Sequence, residues 1–228
     1  MKRSKINELM EDTVEFLREN QVYFPKFAYW TLGDWKSRGN QIREIIDNQL
    51  GWDISDYGKG DFSKMGLIHF TLRNGNVNDP QAKPYCEKVM LMREGQKVPM
   101  HHHKTKIEDI INRGGGLLLV QLYNTTTDNK LADSKITVST DGIERTLEPG
   151  EIITLGLGES VTLKPEHYHR FWVEEGSGKV IIGEVSSVND DYIDNVFLKD
   201  IERFMEIEED EEPLYLLYDD YEKCLNFD

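Results

Sequence analysis

The 228-residue chain is long enough for one large domain or two small ones, with a hydrophobic core that needs no disulfide support. Its formal net charge of −15, from 42 acidic and 27 basic residues, would repel nucleic acid and anionic membranes, so we expect neither as a partner. The two cysteines imply no disulfide framework and fit a reducing, cytoplasmic setting. No apolar run follows the basic start of the chain, so we expect neither a signal peptide nor a transmembrane helix.

The first 64 residues predict a helical extension that packs on the rest of the chain. Residues 53–64 are predicted to form a polar loop, because they are hydrophilic and include two glycines. The aromatic segment 23–30 is predicted to lie extended over the core, and 41–49 to form a short helix. Residues 4–20 predict an amphipathic helix, because apolar side chains recur at three- and four-residue spacing, at Ile6, Leu9, Met10, Val14 and Leu17.

From residue 65 to the end, the pattern becomes that of many short strands separated by turn residues such as Asp-Gly and Pro-Gly. This spacing predicts a mainly β protein with a cupin-type jelly-roll barrel, the double-stranded β-helix, in effect one domain with its N-terminal extension. Three consecutive glycines at 114–116 predict a bulge or a close approach of two backbones. The predicted strands are 66–73, 85–93, 117–123, 135–139, 146–147, 151–155, 160–163, 170–174 and 179–186.

The C-terminal tail of the 65–228 unit has two parts. Residues 206–212 are almost wholly acidic and are expected to be a solvated surface or loop. Residues 214–221 are apolar and aromatic and are expected to pack on the barrel or on a partner subunit. A homodimer is the expected assembly.

The stretch G-Q-K-V-P-M-H-H-H-K-T-K-I-E, which ends at Glu108, predicts part of a metal site. Side chains two apart in a strand share a face, so His101 and His103 can point together while His102 points away. A tight turn after His103 would bring a second strand alongside and present Glu108 to the same pocket.

A third imidazole is available in the later segment P-E-H-Y-H-R-F-W. His167 and His169 share a face there, and we favour His169 because His167 lies closer to the turn at Pro165. Three neutral imidazoles and one carboxylate suit a divalent first-row metal ion and leave coordination positions for substrate or water.

The pattern G-x-x-x-x-x-H-x-H-x-x-x-x-E that starts at Gly95 is similar to the first cupin motif, and Pro165 with His169 loosely matches the second. Beyond these motifs, the segments H-H-H-K-T-K-x-E-D-I-I-N-R-G-G-G, P-E-H-Y-H-R-F-W and S-S-V-N-D-D resemble the D-lyxose isomerase family of cupins. With the helical extension, the resemblance covers nearly the whole chain. It implies a manganese-dependent (Mn2+) aldose–ketose isomerase acting on D-lyxose and D-xylulose, with D-mannose and D-fructose as weaker substrates. Fe2+, Co2+, Ni2+ and Zn2+ are alternative ions.

Aldose–ketose conversion moves a proton between C1 and C2 through an enediol, which requires a carboxylate besides the metal ligand Glu108. Glu184, in an apolar strand, and Glu202 are the candidates, with a structural acid and an exposed loop charge as their respective alternatives. Lys88 interrupts another strand and could bind or polarise a sugar oxygen, or be solvated at a sheet edge. Hydrogen bonds to the sugar are expected from Asp190, Asp191 and Arg203.

Two other functions use the same motifs: an Fe(II)-dependent cupin dioxygenase and a non-catalytic sugar-binding cupin. An isomerase works anaerobically, a dioxygenase consumes oxygen, and a binding module binds sugar without turnover.

Overall fold

The computed structural model describes residues 1–79, 81–165 and 167–225. Its helices are α1 Arg3–Glu19, α2 Leu32–Lys36, α3 Arg43–Asp47 and α4 Tyr221–Cys224, with 3-10 turns at Lys26–Tyr29, Gly39–Ile42 and Tyr218–Asp220. None of the helices in these ranges has the length and apolar character of a membrane span. The strands are β1 Gly51–Ser55, β2 Leu67–Arg73, β3 Tyr85–Met92, β4 His101–His103, β5 Glu108–Gly115, β6 Leu118–Asn124, β7 Ile136–Thr140, β8 Ile143–Leu147, β9 Ile152–Leu155, β10 Ser160–Leu163, β11 His167–Val173, β12 Val180–Ser187 and β13 Asn195–Phe197.

The strands form two antiparallel sheets that face each other. One has eight strands in the order β1-β2-β3-β12-β5-β10-β7-β8, and the other has five in the order β13-β4-β11-β6-β9. Alternate side chains of both sheets point inward and form the barrel core. The predicted mainly β, cupin-type barrel with an N-terminal helix is confirmed. Among the core side chains are Met90, Ile110, Val161 and Ile182 from the larger sheet and Val120, Leu122, Ile153 and Phe171 from the smaller one.

Helix α1 packs on the outer face of the eight-stranded sheet, one residue earlier in the chain than predicted at each end. Its apolar stripe meets Trp52, Phe70 and Ile181, all buried. Burying each aliphatic side chain contributes roughly 1.5–3 kcal/mol, so the stripe fixes the helix on the barrel. The buried residues of the stripe are the five predicted from the spacing, Ile6, Leu9, Met10, Val14 and Leu17.

Three details of the N-terminal region differ from the sequence-based prediction. A polar loop was predicted to begin at residue 53, but residues 51–55 form strand β1. The strand forms because Trp52 and Ile54 pack under α1 and alternate with polar residues that face inward. The predicted helix 41–49 is a 3-10 turn followed by the short α3. The segment 23–30 contains a 3-10 turn instead of being extended throughout. It does pack over the core as predicted, with 4.5 Å between the ring centroids of Phe24 and Phe70. Strand β1, which lies in the predicted N-terminal extension, forms the edge of the eight-stranded barrel sheet. The division of the chain into an extension and a barrel at residue 64 stays a proposal.

The segment between β4 and β5 crosses from one sheet to the other. β4 pairs with β11 and β13, whereas β5 pairs with β10 and β12. The prediction that the turn after His103 places two strands side by side is therefore wrong. The two strands instead approach the barrel interior from opposite walls, as the jelly-roll topology requires.

The three glycines at the end of β5 allow the close approach that the sequence predicted. The pairing of β5 with β12 shifts between Ile181 and Ile182, which is a β-bulge. Gly115 has φ +84°, and a Cβ there would lie 2.0 Å from the carbonyl oxygen of Lys179. A side chain at this position would push β5 away from its neighbour.

The acidic tail lies at the start of α1 rather than only in solvent. Asp210 Oδ1 accepts a hydrogen bond from the Ser4 backbone N–H at 2.9 Å, and Glu209 pairs with Arg3 at 2.8 Å. Carboxylates are stabilised there because the helix N-terminus carries partial positive charge. Glu209 nevertheless remains 53% exposed, so the predicted solvation is partly right. The following apolar segment packs on its own chain, with Leu217 buried beside Trp52.

Candidate active site

A cavity lies between the two sheets. Polar side chains from both sheets line the cavity. Burying such groups costs free energy unless they are paired, so a concentration of them in a cavity indicates a functional site. The smaller sheet contributes His101, His103 and His169, the larger sheet contributes His69, Lys88, Glu108 and Glu184, and connecting segments contribute Lys106, Asp191 and Arg203.

Three imidazoles meet in this cavity. His101 and His103 share one face of β4, and His169 of β11 lies directly opposite His101 in the strand pairing. One ring nitrogen from each of the three lies within 4.8 Å of the other two. His102 points away and packs against Tyr168, with 4.6 Å between ring centroids. The strand periodicity thus separates His102 from the other three histidines.

The Nδ1 atom of each of these three imidazoles faces an oxygen. His101 Nδ1 lies 2.8 Å from the carbonyl oxygen of Pro99, and His169 Nδ1 lies 3.0 Å from that of His167. His103 Nδ1 lies 3.2 Å from Asp194 Oδ2, within ion-pair distance but without hydrogen-bond geometry. In His101 and His169, a proton on Nδ1 leaves Nε2 with a free lone pair, which is the arrangement that orients a metal-binding histidine.

Glu108 completes the group from the opposite sheet. Its Oε1 lies 3.3 Å from His103 Nε2 and 3.2 Å from His169 Nε2. Both Glu108 Oε1 and His169 Nε2 are buried without a hydrogen-bond partner among the described residues. Unpaired buried polar atoms are rare and need a cause. The three imidazoles and the Glu108 carboxylate can together hold a divalent cation, and this set of ligands suits a first-row metal ion.

Lys106 is a member of the site that the sequence analysis did not single out. Its ammonium group is fully buried, 2.7 Å from Glu108 Oε2 and 2.8 Å from Glu184 Oε1. Burial lowers the pKa of Lys106, but the two carboxylates outweigh it and hold the pKa above its usual value. Burial raises the pKa of Glu184, but Lys106 and Lys88 outweigh it, so this carboxyl is ionised at neutral pH.

A second polar group lies in the same cavity around Asp191. Lys88 Nζ is 3.3 Å from Asp191 Oδ2 and 3.9 Å from Glu184 Oε1, and Arg203 Nη2 is 3.2 Å from Asp191 Oδ2. Arg203 also donates a hydrogen bond to Asp53. Burial raises the pKa of Asp191, but Lys88 and Arg203 outweigh it and hold the pKa well below its usual range. Asp53, His69 and Asp191 are close enough to hold a second ion, but these two cations already balance the carboxylates.

The remaining candidates from the sequence lie elsewhere. Glu202 is exposed and lies beside Gly58, outside the residues that line the cavity. Asp190 accepts a hydrogen bond from the backbone N–H of Tyr192 in the following turn. The ring of His167 faces the backbone N–H of Lys164, so His169 is the histidine of this pair that reaches the cavity.

The barrel, with a polar cavity between its two sheets, defines a cupin-type jelly-roll protein. Similar solved structures include the L-ribose isomerase of Cellulomonas parahominis with L-psicose, with a TM-score of 0.58 at 13% identity, covering 88% of this chain and 93% of that one. The L-ribose isomerase of Acinetobacter sp. DL28 in complex with L-ribose gives a TM-score of 0.57 at 14% identity, covering 90% and 98%. At these identities the likeness shows the shared fold.

Sequence comparison then gives the family. The family model described as D-lyxose isomerase matches residues 1–221. The D-lyxose/D-mannose isomerases of Serratia proteamaculans and Escherichia coli O157:H7 are 46% and 44% identical to this chain, each over 97% of it and 98% of the relative. The chain belongs to the D-lyxose isomerase family, which confirms the resemblance seen in the motifs, and it is a sugar isomerase. Family membership favours this activity over the dioxygenase and binding-module alternatives.

Proposed function

We propose that this protein is a divalent-metal-dependent aldose–ketose isomerase that interconverts D-lyxose and D-xylulose and also acts on D-mannose and D-fructose. The observation that carries the proposal is the meeting of three imidazole nitrogens and Glu108 Oε1 beside Glu184 in one cavity. Relatives named D-lyxose/D-mannose isomerase support the choice of sugars.

His101, His103, Glu108 and His169 are the proposed metal ligands. A bound divalent ion would supply a Lewis acid that polarises the sugar carbonyl and stabilises the negative charge that develops on the enediol oxygens. We propose Mn2+ from the family resemblance. Affinity rises along the first-row series whatever the function, so the supply of ions in the cell decides much of the occupancy.

Glu184 is the proposed base that takes the proton from C2 and returns it to C1. It lines the cavity, and Lys106 keeps it ionised and therefore able to accept a proton. The hydrogen bonds from Lys106 and Ser186 both go to Oε1, which leaves Oε2 to face the sugar. Glu202 is exposed and is not among the side chains that line the cavity.

Lys88, Asp191 and Arg203 are proposed to bind sugar hydroxyls. Burial lowers the pKa of Lys88, but Asp191 and Glu184 outweigh it and hold the pKa above its usual value, so the side chain donates as an ammonium ion. Asp191 offers the complementary acceptor beside it. Cytoplasmic function is also proposed, and it agrees with Cys86 and Cys224 being free thiols. The homodimer stays a prediction.

The experiment that tests this assignment compares Glu184→Gln with Glu202→Gln, both loaded with metal. A positioned general base contributes about 10²–10⁴-fold to the rate, so Glu184→Gln should lose that much kcat on D-lyxose while it keeps its metal. Glu202→Gln should stay close to the unmodified protein. Loss of turnover in Glu202→Gln with turnover preserved in Glu184→Gln would contradict the assignment.

A further inference from the structure

The polar side chains of the larger sheet follow the strand order away from the candidate metal ligands. Glu108 is on β5, Glu184 on β12, Lys88 on β3, His69 on β2 and Asp53 on the edge strand β1. Glu184 lies directly opposite Lys88, and His69 directly opposite Asp53. Neighbouring strands are about 4.8 Å apart, so β2 lies roughly 10 Å from β12 across the sheet. One wall of the cavity is therefore polar from the metal-ligand group to His69.

The proposed reaction leaves two members of this row unused, His69 and Asp53, and Asp53 is already paired with Arg203. The His69 side chain is 4% exposed and lines the cavity. Its Nε2 has no hydrogen-bond partner in the described part of the chain, and Asp53 Oδ2, at 3.6 Å, is beyond hydrogen-bond distance. Burial lowers the pKa of His69 to about 4, so the ring is neutral at pH 7. A neutral imidazole nitrogen is matched to a hydroxyl group, which can donate and accept.

We infer that His69 binds the hydroxyl at the end of the sugar chain remote from the carbonyl. The inference rests on the proposed function, because it places the carbonyl end of the sugar at the three imidazoles and Glu108. The carbon chain then extends past Glu184 and Lys88 toward β2, since the side chains that can bind hydroxyls continue in that direction. The terminal hydroxyl satisfies the otherwise unpaired Nε2 of His69.

This contact makes His69 a specificity-determining residue. A buried group that hydrogen-bonds a substrate hydroxyl discriminates against the analogue that lacks it, because the group is then left unpaired. D-lyxose and 5-deoxy-D-lyxose differ by the terminal hydroxyl alone. Any difference in ring opening between the two sugars is the same for every variant and cancels when variants are compared.

The test is the kcat/KM of both sugars for the unmodified protein, His69→Asn and His69→Gln, each loaded with metal. The amide nitrogen of Gln can reach the Nε2 position of His, whereas the shorter Asn reaches the Nδ1 position. The ratio of kcat/KM for D-lyxose to kcat/KM for 5-deoxy-D-lyxose should be about tenfold higher in the unmodified protein than in His69→Asn, the effect of one net hydrogen bond. His69→Asn should lower this ratio largely through a higher KM for D-lyxose, and His69→Gln should keep most of it.

Each outcome decides the question. A preference that survives unchanged in His69→Asn, with metal content and the unfolding transition unaltered, overturns the inference and makes His69 a structural residue. If His69→Asn does not fold, His69→Leu takes its place, because it also removes the ring nitrogen and buries no unpaired polar group: an unchanged preference in the folded His69→Leu variant overturns the inference equally, and a preference lowered about tenfold supports it. In either case turnover of D-lyxose by the unmodified protein leaves the proposed function standing. Absence of turnover of any aldose by that protein overturns the proposed function as well.

Discussion

Replacing Lys106 by methionine should destabilise the protein strongly. The ammonium group lies 2.7 Å from Glu108 Oε2 and 2.8 Å from Glu184 Oε1, and all three side chains are buried. Removing one partner of a buried ion pair leaves a charge without compensation and costs about 3–5 kcal/mol. A typical domain has only about 5–15 kcal/mol of stability, so the metal-free variant should lose a large part of it.

Equilibrium urea unfolding in the presence of a chelator measures this effect. Lys59→Met, at an exposed position, is the matched control and should change the free energy of unfolding by less than about 0.5 kcal/mol. Adding Glu184→Gln to Lys106→Met should restore part of the loss, because it removes one of the two unpaired charges. Equal unfolding midpoints for Lys106→Met and Lys59→Met would mean that the buried ammonium group does not stabilise the fold.

The pH dependence of the same variant gives a second readout. In the unmodified protein the pKa of Glu184 is depressed, so its ionised form stabilises the fold above the unfolded-state pKa of about 4.3, and this contribution is lost as pH falls through the lower folded-state pKa. In Lys106→Met, burial is no longer opposed by that ammonium group, and the pKa of Glu184 should rise. Acidification then protonates the buried carboxyl, so the stability deficit of the variant should shrink between neutral pH and about pH 4.

Three further predictions concern the metal and the proton. His103→Ala should lose most of its bound metal and nearly all activity, whereas His102→Ala, whose ring packs against Tyr168, should keep its metal; equal losses measured by metal analysis would disprove the face assignment. Apparent metal affinity should fall as pH drops through the histidine range, about 6.5 for a free side chain, because protons compete for the imidazoles; titrations that give constant affinity would count against a histidine-rich site. Turnover in D₂O should place deuterium at C1 of the ketose, because a proton held by Glu184 exchanges with solvent; NMR showing complete retention of the substrate hydrogen would favour a hydride shift or a fully shielded transfer.

The elements with regular spacing could be predicted from the sequence. The stripe from Ile6 to Leu17 has the helical period, and the turn residues of the second half separate strands at nearly the observed positions. The period of two in a strand was sufficient to group His101 with His103 and to separate His102. In each case a local repeat determines which face is buried, so no knowledge of the partner surface is needed.

The features that were missed depend on partners far along the chain. Asp53 looked like the start of a polar loop because its balancing cation, Arg203, lies 150 residues later. Lys106 was not singled out from the sequence, because only the crossing between sheets places it between Glu108 and Glu184. Buried charges are decided by tertiary contacts, which a local pattern does not contain.

Metal reconstitution tests whether the isomerase reaction depends on a divalent ion. The protein is stripped of metal, divided, and incubated anaerobically with D-lyxose, with and without Mn2+, and D-xylulose is measured by NMR. We expect ketose formation with Mn2+ and little or none without it, and the same dependence for D-mannose and D-fructose at lower rates. Undiminished D-xylulose formation by the metal-free protein, or none by the reconstituted protein, would contradict the proposed metal-dependent isomerase.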